Sequence, residues 1–307
     1  MSGCHTDHDP HPAMLVLARL ETWTNRPRCR LAPPLAESIV AALPRSLLMR
    51  LRLITLVTLC TIAWWAATTS PVSGAEGFVP KTFTGTQGTL PYCLLTPAAP
   101  QVGTTYPLVV VLHGAGERGT NNSSQLTHGS SVFLDAKNRS AYPSFVIFPQ
   151  CPPDKRWVEV DWGDPKPHQM PKDPSVPMSL VLELVPTLMT SLPIDPHRVY
   201  VMGLSMGGFG TWDILMRKPE WFAAGVPICG GADNAQAARI ATIPLWVWHG
   251  GADEVVKTVR ARTMVEALKA AGGSPKYTEL PGVGHDSWSA AFASPDLLPW
   301  LYAQKRP

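Results

Sequence analysis

Long apolar runs are scarce in this 307-residue chain. The one that stands out, Leu53–Ala67, is 15 residues long and is broken only by threonines and Cys60. A membrane-spanning helix needs roughly 20 apolar residues. Arg45, Arg50 and Arg52 precede the run, and small residues ending in Ser73-Gly74-Ala75 follow it. A basic stretch, an apolar stretch and a small-x-small site in that order predict a secretory signal peptide over 49–75, cleaved near Ala75. A retained membrane anchor is the competing reading. Residues 1–48 are rich in Pro, His and Arg and lack periodicity, and Met49-Arg50-Leu51-Arg52 would be an ordinary start. The stretch 1–48 is therefore expected to be a non-native or disordered extension. What remains, 76–307, is expected to be a single catalytic domain, secreted or periplasmic.

Net charge is missing as well. Residues 1–75 hold seven of the 26 Lys and Arg and four of the 23 Asp and Glu, which leaves 19 of each sign. A balanced domain of this kind argues against nucleic acid or an anionic membrane as its main partner. Cysteine is sparse: Cys93, Cys151 and Cys229 follow the leader. An odd number cannot all pair within one chain. One disulfide with a free thiol and three buried thiols both stay open, because geometry decides. The histidines beyond the leader are scattered, with no pair at a metal-ligand spacing, so no metal is expected. No Gly-Lys-Ser/Thr follows the glycine-rich segment 113–119, which excludes a phosphate-binding loop. No internal repeat is visible.

What is present is a strand-to-helix turn with a serine at its tip. Arg198-Val199-Tyr200-Val201-Met202 reads as a strand, Phe209 to Lys218 as a helix, and Gly203-Leu204-Ser205-Met206-Gly207 lies between them. A serine held between glycines at such a turn stands clear of the sheet. Its hydroxyl becomes a competent nucleophile only when a base takes the proton, and a carboxylate must orient that base. Downstream histidines are His249 and His285. His285 lies just past the last strand-like run, Lys276 to Leu280, and Asp253 follows the strand that ends in His249. Ser205, Asp253 and His285 thus each sit on a loop after a strand, on one edge of a parallel sheet. Glu254 and Asp286 are the rival carboxylates. His249 reads as a structural histidine beneath the acid loop. Asp253 also reads as the N-cap of a helix over Val255 to Ala271.

Short apolar runs alternate with helical patterns along the domain, so an α/β fold with a mostly parallel central sheet and helices on both faces is expected. Strands are read at Lys81–Gly85, Leu90–Leu95, Pro107–Leu112, Phe145–Phe148, Ala223–Ile228 and Pro244–Trp248, and a helix at Met178–Leu192 with a kink at Pro186. The oxyanion of a tetrahedral intermediate needs two backbone N–H donors. Met206, next to the serine, supplies one. Ala115, in the loop after Pro107–Leu112, is the choice for the second, with Gly116 as alternate. Trp157 and Trp162 flank the proline-rich segment Asp161–Pro177, and Trp288 follows His285 by three. Each could stack on substrate or simply pack. Trp246 and Trp248 alternate within a strand and are read as core.

Four motifs in order, His113-Gly114-Ala115-Gly116-Glu117-Arg118-Gly119, Gly203-Leu204-Ser205-Met206-Gly207-Gly208, His249-Gly250-Gly251-Ala252-Asp253 and Gly284-His285-Asp286-Ser287-Trp288, resemble secreted esterases of the α/β-hydrolase superfamily. The nearest group is labelled predicted peptidase or phospholipase/carboxylesterase and is related to feruloyl esterases and polyhydroxybutyrate depolymerases. The resemblance spans about residues 78–305. It implies a serine carboxylic ester hydrolase, whose triad chemistry needs no cofactor. The lack of a long apolar lid and the polar segment Asp161–Pro177 point to short-chain esters, and the tryptophans to aromatic ones, small or polymer-borne. A small-peptide or acyl-peptide hydrolase and a polyester depolymerase are the alternatives the resemblance leaves open.

Overall fold

The computed structural model describes residues 77–307. The expected extension and signal peptide lie outside the described residues. Eight strands form one sheet in the order β1-β2-β4-β3-β5-β6-β7-β8. They are β1 (Val79–Gly85), β2 (Gly88–Leu95), β3 (Tyr106–Leu112), β4 (Phe145–Pro149), β5 (Ile194–Leu204), β6 (Ala224–Ile228), β7 (Trp246–Gly250) and β8 (Lys276–Leu280). The hairpin β1–β2 joins β4 antiparallel, and every pairing from β4 through β8 is parallel. Among the described residues eight α-helices accompany them: α1 (Ser130–Leu134), α2 (Ala136–Ala141), α3 (Val176–Ser191), α4 (Met206–Arg217), α5 (Ala237–Ile240), α6 (Val259–Ala270), α7 (Ser287–Ala293) and α8 (Leu297–Tyr302).

The central strands are apolar on both faces, and the helices explain why. Every residue of β3 is buried. Its alternate side chains, Leu108, Val110 and Leu112, join a core with α3, α4 and α6. Val109 and Val111 point the other way, into a second core with Phe133 of α1, Ala291 of α7 and Leu298 of α8. A strand covered on both sides gains nothing from polar alternation, so it reads as a continuous apolar run. Trp246 and Trp248 are buried in the second core, as their alternation within a strand suggests.

Helix α3 spans Val176–Ser191 with Pro186 inside it, close to the helix read over Met178–Leu192, and Ser175 caps it by accepting from the Met178 amide. The helix expected from Val255 begins only at Val259. Residues 254–258 form a turn instead, because Asp253 Oδ1 draws in the amides of Val255 and Val256, at 2.9 Å each. Thr258, which precedes α6, spends its hydroxyl on the Gly250 carbonyl at 2.6 Å. The cysteine alternatives resolve to three free, buried thiols at Cys93, Cys151 and Cys229. Among the described residues no helix is long and apolar enough to cross a membrane.

Candidate active site

The site sits where β5, β7 and β8 end. Ser205 occupies the tip of the β5–α4 turn with φ 52° and ψ −118°, a backbone conformation that costs a non-glycine residue roughly 1–3 kcal/mol. The surrounding structure holds it there. The Ser205 amide donates to the Ile228 carbonyl of β6 at 2.9 Å, and the Ser205 carbonyl accepts from the Phe209 amide at 3.1 Å to start α4. The turn is tight enough that a Cβ on Gly203 would fall 2.4 Å from the Gly207 carbonyl oxygen.

The loops after β7 and β8 are joined to one another. The amide of Ala252 donates to the Val283 carbonyl at 2.9 Å, and that of Gly251 to the Leu280 carbonyl at 2.8 Å. This pairing sets the distance between Asp253 and His285. His285 Nδ1 lies 2.8 Å from Asp253 Oδ2, and His285 Nε2 lies 2.8 Å from Ser205 Oγ. With the proton on Nδ1, the ring donates to the carboxylate and accepts from the serine hydroxyl. His285 keeps 19% of its side chain exposed while the Asp253 side chain is fully buried. Burial alone would raise the Asp253 pKa. Hydrogen bonds from His249, His285 and the Val256 amide outweigh it and hold the carboxyl well below the usual carboxylate range. Asp253 is therefore an anion at neutral pH, buried but fully partnered.

The glycine-rich loop after β3 is organised by its first residue. His113 is buried, and its Nδ1–H donates to its neighbour's carbonyl, Gly114 O, at 2.6 Å. Its Nε2 accepts from the Cys151 amide at 2.9 Å. Both ring nitrogens are thereby assigned, and burial lowers the pKa to about 4, so the ring is neutral. In a trans peptide the C=O and N–H point in opposite directions. Gripping the Gly114 carbonyl therefore turns the Ala115 N–H the other way. Arg118 Nε donates to the Ala115 carbonyl at 2.8 Å and fixes the next peptide. Met206 opens α4, and the N–H groups of a first helical turn have no acceptor within the helix.

The three tryptophans separate. Trp157 is fully buried, with its indole N–H donating to the His113 carbonyl at 3.0 Å. It cannot stack on substrate, which corrects the expectation for it; it packs under the loop instead, against Gly210 of α4. Trp162 is half-buried beneath the Arg156 guanidinium, 4.3 Å from the ring centroid. Trp288 meets the site: its ring stands edge-on to His285 with centroids 5.3 Å apart. The proline-rich segment is fastened down rather than loose. Buried Arg260 donates to the carbonyls of Asp161 and Asp164, and the Met170 amide donates to Asp233 Oδ2.

Two neighbours of the site carry no catalytic role in the sequence reading, which takes His249 as a structural histidine beneath the acid loop, where it is found fully buried. His249 Nε2 lies 3.3 Å from Asp253 Oδ2. Cys229 lies beside Asp253 and His285 in a positive-φ conformation after β6. Its sulfur, an Asp253 oxygen and a His285 nitrogen lie within 4.8 Å of one another. Burial pushes the Cys229 thiol up to about 12, so it is protonated at neutral pH and a poor metal ligand. The His113 signal was visible only as the start of a glycine-rich loop.

Comparison with known proteins places the fold and the family. A solved thermostable esterase shares 37% identity and superposes with a TM-score of 0.70 over 75% of this chain and 64% of its own. NocK of Nocardia uniformis subsp. tsuyamanensis, named as an esterase, is 27% identical over 161 residues, 52% of this chain and 43% of NocK. Poly(3-hydroxyalkanoate) depolymerase C of Paucimonas lemoignei is 29% identical over 126 residues, 41% of this chain and 28% of the depolymerase. The chain thus spans less than two thirds of the length of each. The phospholipase/carboxylesterase family pattern matches residues 100–295. With its mostly parallel eight-stranded sheet and this match across most of the described residues, the chain belongs to the phospholipase/carboxylesterase family of the α/β-hydrolase fold.

Proposed function

We propose that the protein is an exported serine carboxylesterase that cleaves short-chain or aromatic esters through an acyl-enzyme. The observation that carries the reading is the relay from Ser205 Oγ to His285 to Asp253, with 2.8 Å at each step, mounted on a strained serine. Ser205 Oγ bonds to the ester carbonyl carbon as its proton passes to His285 Nε2. Asp253 stays ionised and stabilises the imidazolium. The N–H groups of Met206 and Ala115 receive the oxyanion, where one such donor is worth about 10²–10³ in rate. Collapse breaks the C–O bond, and the leaving alkoxide takes the proton from His285. Water, deprotonated by the same ring, then releases the acid. This chemistry calls for no metal or cofactor. Export rests on the basic and apolar leader that ends near Ala75.

The short-chain preference rests on the fastened, polar, proline-rich segment at 161–177, which offers no apolar cover for a long acyl chain. Purified enzyme should turn over acetyl and butyryl esters faster than palmitoyl esters. Ser205→Ala should abolish both the activity and labelling by a fluorophosphonate. Equal or better rates on palmitoyl esters would remove the chain-length reading. A matched amide cleaved faster than its ester would favour the peptidase alternative, and release of soluble acid from a polyester film would favour a depolymerase, as in the relative from Paucimonas lemoignei.

A further inference from the structure

We propose that His249 is a positioning residue, whose Nε2–H holds the Asp253 carboxylate in the place from which it orients His285. The inference rests on the reading of Ser205, Asp253 and His285 as a triad. His249 and Asp253 both have fully buried side chains. His249 Nε2 lies 2.8 Å from the Val256 carbonyl and 3.3 Å from Asp253 Oδ2. Both of these atoms are acceptors. Were the ring proton on Nδ1, the Nε2 lone pair would face two buried oxygens, which is costly. The proton therefore sits on Nε2 and is shared between them. His249 Nδ1, buried and without a partner among the described residues, is then a bare lone pair, the cheaper of the two groups to leave unsatisfied.

The consequence is a carboxylate with each oxygen doubly held. Oδ1 accepts from the Val255 and Val256 amides. Oδ2 accepts from His285 Nδ1 and, more weakly, from His249 Nε2. His249 belongs to β7, so it ties a loop side chain to the sheet. It also draws some of the Oδ2 charge away from His285. Without it, the carboxylate should attract the His285 proton more strongly, and the imidazolium should become easier to form. Other ionisable groups around the pair are engaged elsewhere or are neutral. Glu279, opposite His249 on β8, is held by Arg262 and Tyr277. Asp286 binds Ser289, Glu254 pairs with Lys257, and the Cys229 thiol stays protonated. Among the described residues none of them donates to Asp253.

The test uses the purified protein, with kcat and KM normalised to sites titrated by a fluorophosphonate. His249→Phe removes the donor and keeps a flat ring. It should lower kcat by about tenfold, leave KM within about twofold, and move the acid limb of kcat/KM upward by about half a pH unit. His249→Gln places an amide N–H where Nε2 stood, and should restore both the rate and the limb. If His249→Phe does not fold, His249→Asn, whose amide falls short of Asp253, replaces it with the same expected shift. A variant that lacks the donor yet keeps the wild-type rate and limb would overturn the proposal. So would equal losses in the Gln variant and its donor-free counterpart, with an unmoved limb, because packing alone explains that pattern. Failure of the triad reading would look different: Ser205→Ala would stay active and the wild type would not label.

Discussion

A Cβ on Gly207 would lie 1.9 Å from the carbonyl oxygen of Leu112. The elbow helix α4 thus rests directly on the backbone of β3, and this contact brings the two strand ends, with Ser205 on one and the His113 loop on the other, side by side. Gly207→Ala should destabilise the protein by about 3 kcal/mol or more, since backbone on both sides cannot yield as a side chain could. Gly77→Ala, with nothing within 4 Å of the added carbon, should change stability by less than about 0.5 kcal/mol. Urea unfolding of the two variants checks the contrast. Equal stability would mean that the elbow packs less closely than described.

The carboxylate of the proposed triad is open to the same kind of comparison. Glu254 is 84% exposed and turned toward Lys257, and the Asp286 carboxylate accepts from the Ser289 amide and hydroxyl. Asp253→Asn should fold and lose kcat by about 10²–10⁴, because the imidazole loses its orienting anion. Glu254→Gln and Asp286→Asn should each cost less than about tenfold. Steady-state kinetics on an acetyl ester decides, and an inactive Glu254→Gln beside an active Asp253→Asn would transfer the role.

Trp157 and Trp288 should fail in opposite ways. Trp157 is fully buried and its indole N–H holds the His113 carbonyl, so Trp157→Ala opens a cavity and strands an acceptor. It should cost about 3–5 kcal/mol of stability. Trp288 touches His285 edge-on, so Trp288→Ala should lower kcat more than it lowers the unfolding free energy. Denaturant midpoints and kcat, measured on both variants, separate the two roles. A stable Trp157→Ala with a raised KM for aromatic esters would return that residue to the substrate site.

The parts legible in the sequence share one property: they are local. The apolar run of β3, the glycines around Ser205 and the order of Asp253 and His285 each state their role within a few residues, because strand burial and turn geometry are decided by near neighbours. The sequence leaves Trp157 open between substrate and packing because its partner, His113, is 44 positions away. No spacing rule tells a tryptophan beside a loop which way it faces. Helix α6 starts at Val259, four residues later than the sequence suggests, for a related reason. Asp253 looks like an N-cap, but its second oxygen is committed to His285, and its first folds residues 254–258 into a turn. The partnership of His249 with Asp253 needed the loop in three dimensions, although the two residues are close in sequence.

The last prediction concerns acid. The folded pKa values of His113 and His168 are both lowered to about 4. Burial is the larger cause for each, helped by the charge of Arg118 for His113 and of Arg260 for His168. An unfolded histidine titrates near 6.5, so between about 6.5 and 4 the unfolded chain binds protons that the folded chain refuses. Stability from these groups is therefore fully present above pH about 6.5 and is lost as pH falls toward 4. The more deeply buried His113 alone accounts for about 3 kcal/mol across that window. The Asp253 contribution is lost at lower pH, below the ordinary Asp value near 4, because its folded pKa is depressed further still. Unfolding free energies in urea, measured from pH 7.5 down to 4.5, should fall steeply through this range. His113→Asn should be less stable at pH 7.5 but should show a flatter profile. If its profile parallels that of the wild type, His113 is not the buried neutral ring that holds the Gly114 carbonyl, and the orientation of the Ala115 N–H loses its support.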